Sequence, residues 1–445
     1  MDPKIRKLLI AILFLLFILI GGGFVFYAQG FRIDFRNFQI LKVGGIYVKT
    51  YPEKADIFLN NKLINRGFSL FDNGVLINGL FPKKYLLEIK AKDYKDWKRH
   101  IIVSPSLVSE VKYAVLVPTT ENQLLKEDIK FFFVFPNENF LIINSQNNIN
   151  FNSVTLQGNM VKNISSDFEN VLTYDLKQKK YWINNIKNNT IININLAIQR
   201  LNPKFNFENV IFTKDNSNEL ILWDKKNIGI FDVSKNKFNI LDIKPTSSFS
   251  ILNLDSLKIW LVWSEFNSEN NLSNFYIVQK TFNNQINQFS LPFKNIKLIL
   301  KNNYLFLLQS DGGFYKYDLI SKTSFKIASD VSDFYLSEDG NMVALKQSKS
   351  LEIFNFKDKT DYFRFDMSDT KDILKIEWFR DGRHLFIFLK NKIKFMEIED
   401  KEKENIQIVA ENLDINEFNA YYNSKLNRLY FIRDGILSYV EFPDI

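Results

Sequence analysis

Over most of this chain, apolar residues come in short runs separated by turn formers, a pattern that predicts strands. The clearest unit is Val331–Asp366, VSDFYLSEDGNMVALKQSKSLEIFNFKDKTDYFRFD. Its runs Asp333–Leu336 and Met342–Lys346 flank Glu338-Asp339-Gly340-Asn341, and Asp-Gly favours a hairpin because both residues tolerate positive φ. Leu351–Phe356 and Tyr362–Phe365 follow after Ser348-Lys349-Ser350 and Lys357-Asp358-Lys359-Thr360, so the unit predicts a four-stranded meander. A lone meander cannot bury both of its faces, so neighbours are expected on each side.

Those neighbours are visible from Glu121 onward. The strand–turn–strand core recurs at Phe135–Phe140, Tyr174–Lys180, Thr213–Leu220, Leu252–Leu257, Leu300–Tyr304, Leu336–Met342, Phe379–Arg383 and Tyr422–Leu426. A period of about 40 residues with four strands per repeat is the pattern of a β-propeller. Blades pack on both faces, so their inner strands should be apolar without strict alternation; Phe131–Phe135, Leu220–Trp223, Ile259–Trp263, Tyr304–Leu308 and Leu385–Leu389 fit. Helical solenoids would show a 3.6-residue period, and none is found. The last repeat reaches Ile445 after roughly three strands. Either it borrows a strand from the start of the domain, giving eight blades, or there are seven.

The first quarter of the chain reads differently. Leu8–Tyr27 is an almost unbroken apolar run of 20 residues, which at helical rise spans ~30 Å, the hydrocarbon core of a bilayer. It predicts an uncleaved transmembrane helix, since the apolar region of a signal peptide is only ~7–15 residues and a small-x-small site should follow it. Lys4, Arg6 and Lys7 before the run are matched by Arg32, Arg36 and Lys42 after it, so charge barely orients the helix; a short cytoplasmic tail with the bulk outside is the expectation. Residues 31–44 read as a connector. Between 45 and 118, strands are predicted at Ile46–Lys49, Ala55–Leu59, Tyr85–Ile89, Ile101–Val103 and Val111–Val117, with turns at Pro52-Glu53, Asn60-Asn61, Pro82-Lys83-Lys84 and Ser104-Pro105. The remainder, 119–445, is the propeller.

Composition sharpens this picture. Hydrophobic residues make up 46% of 445 residues, with 44 Phe and no cysteine. The absence of cysteine excludes disulfides, thiolate metal sites, cysteine nucleophiles and a lipidated N-terminal cysteine. Net charge is +8, unevenly spread: residues 1–44 carry 6 Lys/Arg against 2 Asp/Glu, residues 45–118 carry 12 against 7, and residues 119–445 carry 40 against 41. A basic zone beside a membrane segment favours anionic lipids or wall polymers. The neutral propeller lacks the basic groove that nucleic-acid binding needs, so no nucleic acid is expected.

Two resemblances follow from these residues. Gly45-Ile46-Tyr47-Val48, Pro52-Glu53-Lys54-Ala55, Ile57–Lys62, Gly67 and Leu80-Phe81-Pro82-Lys83-Lys84-Tyr85 resemble the PEGA domain family, a small surface-associated β-sandwich. Lys54, Lys83 or Lys84, and Asp93 stand where the family has glycine. That likeness implies a contact module with no catalytic residues. The repeats resemble the WD-repeat-like and TolB-like propellers through Ser337-Glu338-Asp339-Gly340 and Arg380-Asp381-Gly382, without recurring His…Trp-Asp pairs. It implies fold more than function.

Candidate chemistry is sparse. His100 and His384 are the two histidines, and neither metalloprotease, serine-hydrolase nor phosphate-loop motifs occur. Asp366, Asp369 and Asp372 form an acidic cluster that a hard cation could use, though a solvated inter-blade loop is the simpler reading. Glu397–Glu404 reads as a charged hairpin tip, and the Asn-rich stretch Asn137–Asn152 as compositional bias. The expectation is an all-β, single-pass membrane protein: transmembrane helix, PEGA-like β-sandwich, seven- or eight-bladed propeller. It should be a non-enzymatic extracytoplasmic binder of an envelope protein or polysaccharide, with no catalytic residues, metal or cofactor. An exported propeller hydrolase and a structural scaffold are the alternatives.

Overall fold

The computed structural model describes residues 3–445 apart from 36–37, 66–73, 126–127, 153, 214–215, 225–226, 242–248, 257–258, 280–285, 293, 358–361, 400–404 and 417–418. Gly67 and the side chains of Ile259–Trp263 therefore lie outside the described residues. The chain forms two compact units. One is Met1–Asn122 with Phe395–Val409 and Val440–Ile445; the other is Gln123–Lys394 with Ala410–Tyr439.

The first unit opens with a helix, Pro3–Ala28. Its apolar side chains from Ile12 to Ile20 and from Phe24 to Tyr27 are exposed, while those at 1–5, 7, 8 and 11 lie outside the described set. Over the described residues, no helix is long and apolar enough to cross a membrane. The stretch read as a connector carries a hairpin of its own, Phe31–Asp34 paired with Gln39–Lys42.

Beyond it, two sheets share one core. Gly44–Tyr51 is the middle strand of the first, antiparallel to Val75–Leu80 and parallel to Val108–Val115. The second runs in the order Lys62–Leu63, Asp56–Leu59, Lys84–Lys90, Trp97–Ile102. Alternate residues face inward, as the period of two requires: Ile46 and Val48 meet Ile57, Leu87, Ile89 and Trp97, all buried. Val75–Leu80 was not legible as a strand, because Leu76 on its outer side is as apolar as the buried Val75 and Ile77 on its inner side. Alternation is lost, and Asn78-Gly79 reads as a turn.

Most of the repeat region lies in the second unit, while Asn122, Phe395–Val409 and Val440–Ile445, which belong to its last two sheets and the tail, are grouped with the first. Among the described residues there are eight four-stranded sheets, spanning 129–155, 160–193, 209–241, 249–292, 295–328, 331–366, 373–411, and 420–441 completed by Asn122–Leu125. The last sheet thus borrows its fourth strand from the start of the repeat region, which favours eight blades over seven. Among the described residues, shared cores join successive sheets at several junctions. Ile149 and Val171 join the first and second, Leu172 and Phe212 the second and third, Phe275 and Leu298 the fourth and fifth, and Phe314 and Phe334 the fifth and sixth. The eighth returns to the first through Tyr430, Leu437, Phe132 and Ile142. Sequential packing that comes back to its starting point is propeller-like.

The unit first singled out in the sequence becomes the sixth sheet, with strands Val331–Leu336, Met342–Gln347, Ser350–Asn355 and Tyr362–Asp366. Its first turn needs Gly340, at φ +70°, and is fastened by Ser337 Oγ donating to Asp339 Oδ1 at 2.6 Å. The marker Tyr174–Lys180 is displaced by one strand, since it joins the second and third strands of its sheet. The true first turn is Ser165–Glu169, where Ser165 Oγ donates to Asp167 at 2.5 Å in the same manner as Ser337. Between the second and third sheets lies a helix, Ile194–Leu201, capped by the Asn193 side chain. Only Ile194 and Ile198 on it are buried, too little periodicity to read in eight residues.

Candidate functional site

In the first strands of the fifth, sixth and seventh sheets, a bulge follows the first residue: between Asn295 and Lys297, Val331 and Asp333, and Ile373 and Lys375. A bulge re-aims the side chain beside it. All three sheets place a charged residue just after it. Lys297 Nζ meets Asp333 Oδ1 at 2.6 Å and donates to the Phe334 carbonyl at 2.8 Å. Asp333 Oδ2 accepts from Tyr335 Oη at 2.7 Å, and Lys297 also lies 4.6 Å from the Tyr335 ring centroid. Next along, Lys375 Nζ pairs with Glu377 Oε1 at 2.7 Å, and Glu377 Oε2 accepts the Tyr422 amide at 2.6 Å. A quarter of the Glu377 side chain is exposed; desolvation of the rest pushes its carboxyl above the ordinary value, against Lys375 and the Tyr422 amide. The carboxylates on these strands are therefore held by lysines. Sequence reading missed this row, although one charge at the same place in three apolar strands was its signal.

A second feature is a pocket of about 540 Å³ formed by the fifth and sixth sheets. Tyr304, Phe325, Phe354 and Phe356 give it aromatic walls, and Lys316 and Asp318 supply charge. The Lys316 ammonium lies 3.6 Å from the Tyr304 ring centroid and 4.3 Å from that of Phe356. Desolvation lowers its pKa, with Asp318 acting in the opposite direction. Phe325 is 56% exposed at the rim.

The residues weighed in the sequence fall elsewhere. His384 is buried against Asp381, Nδ1 to Oδ2 at 2.6 Å, and Asp381 Oδ1 also accepts the Arg383 and His384 amides at 2.7 and 3.1 Å. Burial pushes the Asp381 carboxyl up, but His384 and the two amides outweigh it and hold the group below its ordinary value. This is a turn fastening. His100 lies on the strand Trp97–Ile102, exposed. Asp366 pairs with Arg364 at 3.2 Å and Asp369 with Lys394, so these carboxylates of the acidic cluster are spoken for by separate cations. Among the described residues, no group of three or more His, Asp or Glu could hold a metal ion.

Glu397–Glu404 differs from the expected charged tip at its first residue. Glu397 is 3% exposed, accepts from Trp97 Nε1 at 3.3 Å and pairs with Arg99 at 2.9 Å; residues 400–404 lie outside the described residues. The asparagines of 137–152 serve local turns: Asn144 Oδ1 accepts the amides of Gln146 and Asn148 at 3.1 and 3.0 Å. Asparagine favours such positions because its carboxamide mimics a backbone turn.

No known family matches the chain, and no curated protein sequence does either. Solved structures similar to it include a eukaryotic initiation factor (10% identity, 74% of this chain and 94% of that one, TM-score 0.47). BamB from Moraxella catarrhalis covers 73% and 98% at 10% identity and TM-score 0.45. Hsv2 from Kluyveromyces lactis covers 62% and 90% at 14% identity and TM-score 0.43. Similarities at this level carry nothing about function, and the chain's architecture rests on its own succession of four-stranded sheets.

Proposed function

We propose that this chain is a membrane-anchored, extracytoplasmic envelope protein whose propeller binds an envelope protein or polysaccharide without catalysing a reaction. The two-sheet module, PEGA-like in sequence, serves as stalk or envelope contact. The observation that carries this reading is the aromatic pocket around Lys316. Its volume, about 540 Å³, lies within the range of binding sites. Its exposed Phe325 offers a flat apolar face of the kind that anchors partners. The lysine pairing of Asp333 and Glu377 also supports binding over hydrolysis, because a general acid or base must be available to substrate. Anchoring is supported by the 20-residue apolar run Leu8–Tyr27 and by the outward-facing side chains of its helix.

The test uses the full chain in its native membrane, with a photo-crosslinking amino acid at position 325. Adducts with a defined envelope protein or a polysaccharide are expected, and they should be lost when Lys316→Ala is added. The chain should stay in the pellet through alkaline carbonate extraction and be released when residues 1–30 are deleted. Release of the intact chain, or absence of any adduct, would overturn the reading.

A further inference from the structure

A second cleft between the fifth and sixth sheets, about 750 Å³, is built from different chemistry. Gln309, Ser310, Asp311, Asp330, Lys349 and Arg364 are among its lining residues, and no aromatic ring is. Gln309 is fully buried, yet among the described residues neither its amide nitrogen nor its amide oxygen has a hydrogen-bond partner. A buried amide left open in this way costs about 1–3 kcal/mol of desolvation that nothing offsets.

The next sheet shows why. Gln347 stands at the end of the second strand there, as Gln309 does in its own. Gln347 is fully engaged: Ser350 Oγ donates to its oxygen at 2.8 Å, and its nitrogen donates to the Ser329 carbonyl and to Glu352 Oε2, each at 3.2 Å. Arg364 then holds Glu352 at 3.1 Å. In the fifth sheet the counterpart of Ser350 is Gly313 and that of Glu352 is Tyr315. Hydroxyl and carboxylate are both gone. Gly313 cannot be replaced by serine in place, because a Cβ there would lie 2.8 Å from the Tyr315 ring. The same structural position is thus paired in one sheet and, in the other, left without a partner in the wall of a cleft.

We propose that this cleft binds a polypeptide segment by an asparagine or glutamine side chain, which pairs with the amide of Gln309. A carboxamide presents one donor and one acceptor side by side, the complement of what Gln309 offers; a carboxylate lacks the donor. The charges of both signs, Asp311 and Asp330 with Lys349 and Arg364, suit a polar polypeptide, and the lack of an aromatic wall disfavours a sugar ring. The assignment rests on the reading of the propeller as a binding domain and names a ligand class at a separate site.

The test uses the detergent-solubilised full chain and saturation-transfer NMR with three probes at millimolar concentration. These are the blocked tripeptides Ac-Ser-Asn-Ser-NH2 and Ac-Ser-Asp-Ser-NH2, and tri-N-acetylchitotriose. The Asn peptide should receive saturation and, by titration of that signal, bind at least about tenfold more tightly than the Asp peptide, a difference of about 1.4 kcal/mol. Gln309→Met should abolish the Asn signal while leaving Tm unchanged or raised, because it removes an unpaired buried amide. The proposal is overturned by equal affinity for the Asp peptide, by an Asn signal that survives Gln309→Met, by a lowered Tm in that variant, or by no transfer to the Asn peptide at all. A chitotriose signal that depends on Gln309 would assign the cleft to saccharide instead. Crosslinks from position 325 that persist through any of these failures would leave the binding-domain reading standing; their absence would remove it.

Discussion

Asp381, read in the sequence as part of the Arg380-Asp381-Gly382 hairpin, is a buried carboxylate whose partners fasten that turn. Its side chain is 1% exposed and accepts from His384 and two backbone amides. Asp381→Asn keeps the shape but weakens charge-assisted bonds, and should cost about 1–3 kcal/mol. Because the folded group titrates below its unfolded value of about 3.9, its stabilisation is complete above that pH and fades as pH falls through the folded value. Urea unfolding of both proteins between neutral and acid pH should therefore show the gap narrowing below about pH 4. Glu397 makes the same point on the other unit. Glu397→Ala would strand Arg99, whose side chain is 19% exposed, without this carboxylate; a loss of about 3 kcal/mol is expected in thermal unfolding. The turn at Asp381 was legible in the sequence; its pairing with His384 and that of Glu397 with Arg99 were not, since the fold sets both.

At the scale of elements, the borrowed strand decides how the repeats behave. Closure places Leu437, fully buried, in one core with Phe132 and Tyr430. Tyr421 Oη there accepts the Val134 amide at 2.6 Å, joining the eighth sheet to the first. Burial raises the Tyr421 phenol well above its ordinary value, so it remains a neutral hydroxyl. Leu437→Ala should cost about 2–5 kcal/mol and Tyr421→Phe about 1 kcal/mol. In a closed ring both losses should appear in the single global transition; an open array would instead show local melting near the termini. Calorimetric and van't Hoff enthalpies measured on the variants distinguish the two. Most strands of the repeats were legible because turn residues punctuate them. The second marker slipped because Tyr174–Lys180 is a tight turn as well, and a turn does not announce which pair of strands it joins.

For the whole molecule, charge is the property that sequence states outright. The positive excess lies entirely in residues 1–118, and the remainder is close to neutral. The full chain should therefore associate with vesicles containing phosphatidylserine more strongly than with neutral ones, and the difference should shrink with salt, at about 1 kcal/mol per basic residue near the surface. Cosedimentation at two ionic strengths checks this. Alternation, turn chemistry and the period of the repeats are local properties, so the sequence by itself determined an all-β repeat protein with an apolar N-terminal run. What it could not contain is which side chains meet across sheets. Only the tertiary structure brought Asn122–Leu125 to the last sheet, paired Lys297 with Asp333, and left Gln309 open where Gln347 is closed. The first two join residues far apart in the chain and the third is a difference between two equivalent positions; the free energy of each depends on burial that exists only after folding.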